Sequence, residues 1–322
     1  MLKKSGLVIA IFSIFILSSN AAAHHPTGGA GLGKTGPVRT ISASPLQRGV
    51  LALALQTEFI DLDAFSDDEL MEIAEDGSDV HSVDSIHHSI FSMGHGLTDD
   101  LSVSLKIPYD VLSNIREAHS DEPDEVHDHG DSKGIGDLTV FGQYRFVKLI
   151  DLDIESSLVL GLRMPTGRTN AKDKDGERFE AEFQPGSGAW GPIAGIAATK
   201  RFKALSLDAD LLYTFATEGT QETDLGDLFN YDLAVSYTAL YKPVVLDLIV
   251  EANGEWKQKQ EIDGVRDDNS GGTVIFISPG MRLSFFNNWT AYVSAGFPVA
   301  QDLNGEQNET DLRVLLGLGV GL

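Results

Sequence analysis

Charged side chains recur at every second position of otherwise apolar stretches, and these are the residues whose types and spacing could do chemistry. Glu58, Lys106, Arg145, Asp153, Glu155, Arg163, Asp208, Asp210, Asp232, Asp247, Glu251, Glu255, Arg282 and Arg313 all sit opposite Leu, Ile, Val or aromatic neighbours. If the apolar neighbours meet lipid, the charged set turns inward and lines a lumen. Carboxylates outnumber bases in that set, which favours cations and polar solutes over anions. The same charges could instead pair across the bore and fill it, so an open and a plugged lumen both follow from the pattern.

A second group is histidine. All nine histidines lie in the first part of the chain. His119, His127, His129 and Asp131 fall in one stretch dense in carboxylates. Neutral imidazole and carboxylate are ligands for zinc, copper or nickel, and His127 and His129 are close enough to share an ion. The competing reading is a solvated acidic loop that holds metal weakly. Apart from such a divalent ion, no cofactor is implied. A third candidate is His87 with Ser89, which share one face of a strand as a nucleophile and base of a membrane-interface lipase would. No further motif supports that reading, and the chain is expected not to be an enzyme.

The elements that must position these residues are strands. Leu101, Val103, Leu105, Ile107 and Tyr109 alternate with Ser102, Ser104 and Lys106; Leu246, Leu248 and Val250 oppose Asp247 and Glu251. This period of two marks a strand with one greasy and one polar face. About twelve such segments follow one another, two of them, 80–95 and 189–202, without clean alternation. Each is near the ~10 residues a tilted membrane strand needs. Their connections alternate in length. Short ones fall at 96–99, 147–150, 202–204, 241–243 and 286–288. Long, acidic ones fall at 61–79, 111–133, 165–188, 216–226, 257–271 and 301–309, with one short helix expected over 67–75. The pattern predicts an all-β fold: a transmembrane antiparallel up-and-down β-barrel with short periplasmic turns and long external loops.

Composition agrees. After residue 23 no apolar run is long enough for a membrane helix, and a closed barrel is the other way to span. Net charge is −24 and cysteine is absent. Nucleic acid is therefore an unsuitable partner, and disulfide or thiolate chemistry is excluded. Lys3 and Lys4, the apolar run from Leu7 to Leu17 and the triplet Ala21, Ala22, Ala23 read as a secretory signal over 1–23. Residues 24–47, rich in Gly, Ser and Pro, are expected as a flexible periplasmic segment, although the composition also allows a segment tucked into the lumen. The barrel takes 48–322. Expected partners are outer-membrane lipids, the outer-membrane insertion machinery and a small-molecule solute.

Four strings carry a family resemblance. They are Gly134, Ile135, Gly136, Asp137, Leu138; Met164, Pro165, Thr166, Gly167, Arg168, Thr169; Gln184, Pro185, Gly186, Ser187, Gly188; and Ser278, Pro279, Gly280. In order and spacing they resemble the outer-membrane family named for the meta-pathway of phenol degradation, over about Ser85 to the C-terminus. The resemblance implies an outer-membrane barrel that takes up small solutes, aromatic ones among them. One departure is the last residue, Leu322, where such barrels commonly end in an aromatic.

Overall fold

The computed structural model describes residues 36–286 and 288–322. The expected signal over 1–23 lies outside them. The strands are β1 (Leu51–Asp63), β2 (Val80–Ser82), β3 (Ser85–Gly96), β4 (Leu101–Ala118), β5 (Val126–Ile135), β6 (Thr139–Leu149), β7 (Ile154–Arg163), β8 (Gly191–Phe202), β9 (Leu205–Thr214), β10 (Thr223–Asp224), β11 (Leu228–Leu240), β12 (Val245–Lys257), β13 (Glu261–Ile262), β14 (Val265–Arg266), β15 (Gly272–Phe285), β16 (Trp289–Leu303) and β17 (Glu309–Gly321). Fourteen of them form one sheet. The short strand β2 pairs only with the far end of β4, and β5 runs beside that same end ahead of β6. The other twelve make an antiparallel ring, closed where β1 meets β17 from Ala52 opposite Gly321 to Asp63 opposite Glu309. Closure matters because it leaves no backbone edge to face lipid.

Burial confirms which face is which. Leu55, Leu160, Leu211, Leu233, Val250 and Leu316 are exposed on the outside of the ring. Gln56, Ser157, Thr199, Ser236, Asn253 and Ser294, one position out of phase with such residues, are buried inside. Exposed aromatics mark both ends: Phe202, Tyr241 and Trp289 beside the short turns, Phe59, Phe215 and Phe297 beside the long loops. Such rings suit the headgroup layer, where an apolar body and a polar edge are both satisfied.

Three expectations change. Residues 111–133 are not one loop. Strand β4 runs on to Ala118 and β5 returns from Val126, so only a seven-residue turn separates them. The strand expected over 80–95 is broken into β2 and β3. The segment 36–47, expected within a flexible periplasmic arm, lies inside the barrel, where Val38, Arg39, Thr40, Ile41 and Ala43 are buried. The helix expected over 67–75 is present as α1 (Asp67–Glu75), started by a capping box in which the Ser66 hydroxyl and the Glu69 carboxylate each bond the other's backbone N–H. Its buried Leu70 and Ala74 pack on Val80 and Ala118. This anchors the first long loop to the end of β4.

Candidate functional site

The lumen is the candidate site. It is polar because every inward position of a strand follows an outward one that must face lipid, so charge can only go inside. Glu58, Lys106, Arg145, Asp208, Asp210, Asp247, Glu251, Glu255, Arg282 and Arg313 are buried there, and Glu155, Arg163 and Asp232 are half-buried. Asp153 is not among them. It is exposed in the turn between β6 and β7, with a left-handed φ of 49°. The strand starts one residue later than its alternation suggests.

Carboxylates gather on one wall. Asp210 on β9 sits in register with Asp232 on β11, which sits in register with Asn253 on β12. Asn253 donates to Asp232 at 3.0 Å, and Thr238 to Asp247 at 2.6 Å. Bases lie on the flanks: Arg313 meets Glu255 at 2.6 Å, and Arg145 lies between Asp100 at 2.7 Å and Glu155 at 3.0 Å. Arg282 and Arg313 also lie over the rings of Tyr292 and Phe276. Lys106 lies 5.1 Å from the centre of the Phe141 ring.

The acidic wall grips the chain's own N-terminal segment. Glu251 accepts the backbone N–H groups of Arg39 (3.0 and 3.1 Å) and Thr40 (2.9 Å). Asp210 accepts that of Ile41 at 2.6 Å, and Thr199 that of Ala43 at 2.8 Å. Ser44 donates to Glu155 at 2.7 Å. Across the bore, the Arg39 guanidinium reaches Glu58 at 2.5 Å, both side chains being almost fully buried. Val38 packs with Ile249 and Leu315; Ile41 and Ala43 pack with Val159, Ile193 and Leu212. The segment thus crosses the lumen held by carboxylates, one ion pair and two apolar patches. On the short-turn side of it a polar vestibule of about 980 Å³ opens, reaching from Lys148 and Lys203 to Asp208 and Arg282.

The long-loop end is narrowed by the loop 164–190. Its Ala171, Phe179 and Phe183 pack against Ile60, Leu62, Ile86, Leu112 and Ile115 of the wall. Three of the four family strings meet where this loop is tied down. Asp137 accepts the Gly167 N–H at 2.8 Å, the Ser187 N–H at 2.9 Å and the Ser187 hydroxyl at 2.6 Å. Gly167 and Gly186 touch so closely that a Cβ on either would lie 2.6 Å or less from the other's backbone. Asp137 is buried. Its replacement by Ala would leave two half-buried N–H groups without their acceptor, at up to about 1–3 kcal/mol each. D137A is therefore expected to loosen the 164–190 loop and leave the barrel closed. Tryptic cleavage after Arg168 or Lys172 in D137A but not in the folded wild-type protein would check it; equal resistance in both would refute it.

The histidines do not lie as expected. His119, His127 and His129 do come together, with ring centres 5.4 Å and 6.5 Å apart in succession. Asp131 leaves them. Gly130 takes φ 78° at a register shift between β4 and β5, so alternation slips by one and Asp131 turns out to accept the Asn114 N–H. The group that alternation missed is centred on His81 of β2. Its Nε2 lies 3.0 Å from Glu117 and 3.5 Å from Glu180, and its Nδ1 lies 3.5 Å from Glu182. Burial alone would lower the His81 pKa, but the hydrogen bond to Glu117 and the fields of Glu182, Glu117 and Glu180 outweigh it and raise it to about 10. His87 and Ser89 share the outer face of β3, but each bonds the Thr57 hydroxyl, at 2.7 and 3.3 Å. Among the described residues no carboxylate bonds His87 to complete a triad.

No curated protein matches the chain. Among solved structures, an outer membrane channel from Pseudomonas putida F1 is similar in fold: 16% identity, TM-score 0.59, covering 87% of this chain and 98% of that one. The NanC porin (11% identity, TM-score 0.45, 84% and 100% covered) and the KdgM porin (11%, 0.43, 84% and 99%) are more distant. The family model described as putative MetA-pathway of phenol degradation matches residues 77–308. The closed ring with its lipid-facing apolar surface and polar bore, the knot tied by Asp137 and this match agree: the chain is an outer-membrane β-barrel and belongs to that family.

Proposed function

We propose that the protein is a gated passive channel for small polar or cationic solutes, in which residues 36–47 are the gate. The observation that carries this is the attachment of that segment. Its backbone N–H groups are held by Glu251, Asp210 and Thr199, which are wall residues, while the segment itself forms no strand of the ring. It can leave without opening the sheet. Its departure would join the 980 Å³ vestibule to the mid-lumen and bare the carboxylates that now hold it. A lumen lined by unpaired carboxylates concentrates cations and repels anions. An aromatic solute would find the inward rings of Phe141, Tyr292 and Phe276 on the same path.

Purified, folded protein in planar bilayers should give brief discrete conductance steps on a low baseline, as expected of a gate that is closed most of the time. Membranes that stay sealed at every potential, both for this chain and for one lacking residues 36–47, would rule out a channel.

A further inference from the structure

We propose that His81, Glu180 and Glu182, with Glu117 beside them, form a site for a divalent transition-metal ion of the zinc type, which clamps the 164–190 loop onto the end of β2 and β4. Among the described residues, one group of His and carboxylate side chains offers ligand atoms that all lie within 4.8 Å of one another, and it is His81, Glu180 and Glu182. About 100 positions separate His81 from the two glutamates. Packing unites them: Phe183 stands edge-on to the His81 ring at 5.0 Å, and Phe179 to that of His129 at 6.4 Å.

The donors fit such an ion. One imidazole nitrogen with two or three carboxylate oxygens suits zinc, manganese, iron or nickel, whereas calcium and magnesium take oxygen alone. Bonds of about 2.1 Å in a tetrahedron space the ligand atoms about 3.4 Å apart. The ligands must therefore draw in by roughly an ångström, which Glu180, with its side chain 55% exposed, is free to do. The surroundings resemble an outer shell. Glu117 also contacts His119 at 3.3 Å and His129 at 3.2 Å, and the far nitrogen of His129 meets Asp173 at 3.1 Å. Such carboxylate–histidine contacts orient metal ligands. The charge fits too: three carboxylates, Glu117, Glu180 and Glu182, face the single imidazole of His81, which leaves net negative charge for a dication to neutralise. The site opens on a cavity of about 450 Å³ at the loop end, which gives an ion access. Lys257 lines the same cavity and is the competing counter-ion.

The test is calorimetry of the folded, detergent-solubilised protein, stripped with chelator and titrated with zinc chloride. One ion per chain is expected, with no heat from magnesium or calcium at the same concentration. Glu180→Gln with Glu182→Gln, which keeps side-chain volume, should weaken binding by at least about tenfold, and His81→Ala likewise. His127→Ala, Asp131→Asn and Glu306→Gln, which also lines the cavity, should leave it unchanged. Zinc should also slow tryptic cleavage after Lys174 and Arg178 in the parent protein and not in the double glutamine variant. No zinc heat above the detergent blank would overturn the site. So would wild-type affinity in the double variant, or an equal loss in Glu306→Gln, which would reduce the effect to general acidity.

Discussion

Removing residues 36–47 is expected to turn a barrel of low conductance into an open channel, with single-channel conductance rising by roughly tenfold or more as the constriction is lost. The segment contributes no ladder bond to the closed ring, so the deletion should not stop folding. What it removes is the obstruction. Burial of Val38 and Ile41 contributes about 1.5–3 kcal/mol each. The hydrogen bonds to Glu251, Asp210 and Thr199 add net contributions of about 0.5–1.5 kcal/mol apiece, more where the acceptor is charged. Part of that total offsets the entropy of ordering the segment in the bore. The remainder keeps the gate shut most of the time without making it permanent. Glu251→Ala should then lie between the two states. It leaves the Arg39 and Thr40 N–H groups without their acceptor, so the gate opens more often while each opening has the wild-type size. Single-channel recording separates frequency from amplitude. A deletion variant with wild-type conductance would place the obstruction at the 164–190 loop and end the assignment of the gate.

Much of the barrel was legible because its physics is local. A strand between lipid and lumen must alternate, and the alternation of Leu246, Leu248 and Val250 with Asp247 and Glu251 is written in consecutive residues. The errors arise where the backbone departs from alternation. Asp153 keeps the phase of Glu155, which points it into the lumen, but its left-handed φ holds it in the turn and the strand starts only after it. Asp131 shares one carboxylate-dense stretch with His129, which points to a common ion, but the bulge at Gly130 turns its side chain away to Asn114. The gate left little trace in the sequence. It is held by backbone N–H groups that every residue but proline possesses, and Arg39 meets Glu251 across 212 positions. The only side-chain hint was a lone arginine in a stretch otherwise poor in charge. The His81 cluster was invisible for the same reason, since Phe179 and Phe183 must first bury before their neighbours Glu180 and Glu182 arrive. Three of the family strings, conversely, are legible as strings and turn out to be architectural, since they fix a loop; the fourth places Ser278 inside the bore, where its hydroxyl donates to Asn253.

The charge of the bore leads to the second large effect. With residues 36–47 deleted, Glu58 loses Arg39, and Glu251, Asp210 and Glu155 lose the donors they now hold. Arg313 stays with Glu255 and Arg145 with Asp100, while Arg282 loses the Pro37 carbonyl it now bonds, so the deletion frees more carboxylates than bases. The open bore should therefore be cation-selective. Under a tenfold potassium chloride gradient its reversal potential should lie tens of millivolts on the cation side, toward the limit of about 59 mV for one charge. Replacing Asp210 and Glu251 by Asn and Gln in the same background removes two charges from one wall and keeps the shape. The reversal potential should then fall by at least about 10–20 mV while conductance changes little. Raising both salt concentrations should act the same way, because screening shrinks to about 3 Å at 1 M and the wall charges no longer reach the axis. An anion-selective bore, or one whose reversal potential ignores both carboxylates, would mean that Arg282, Arg313 and Lys106 set the field instead, and the proposed class of solute would have to change sign.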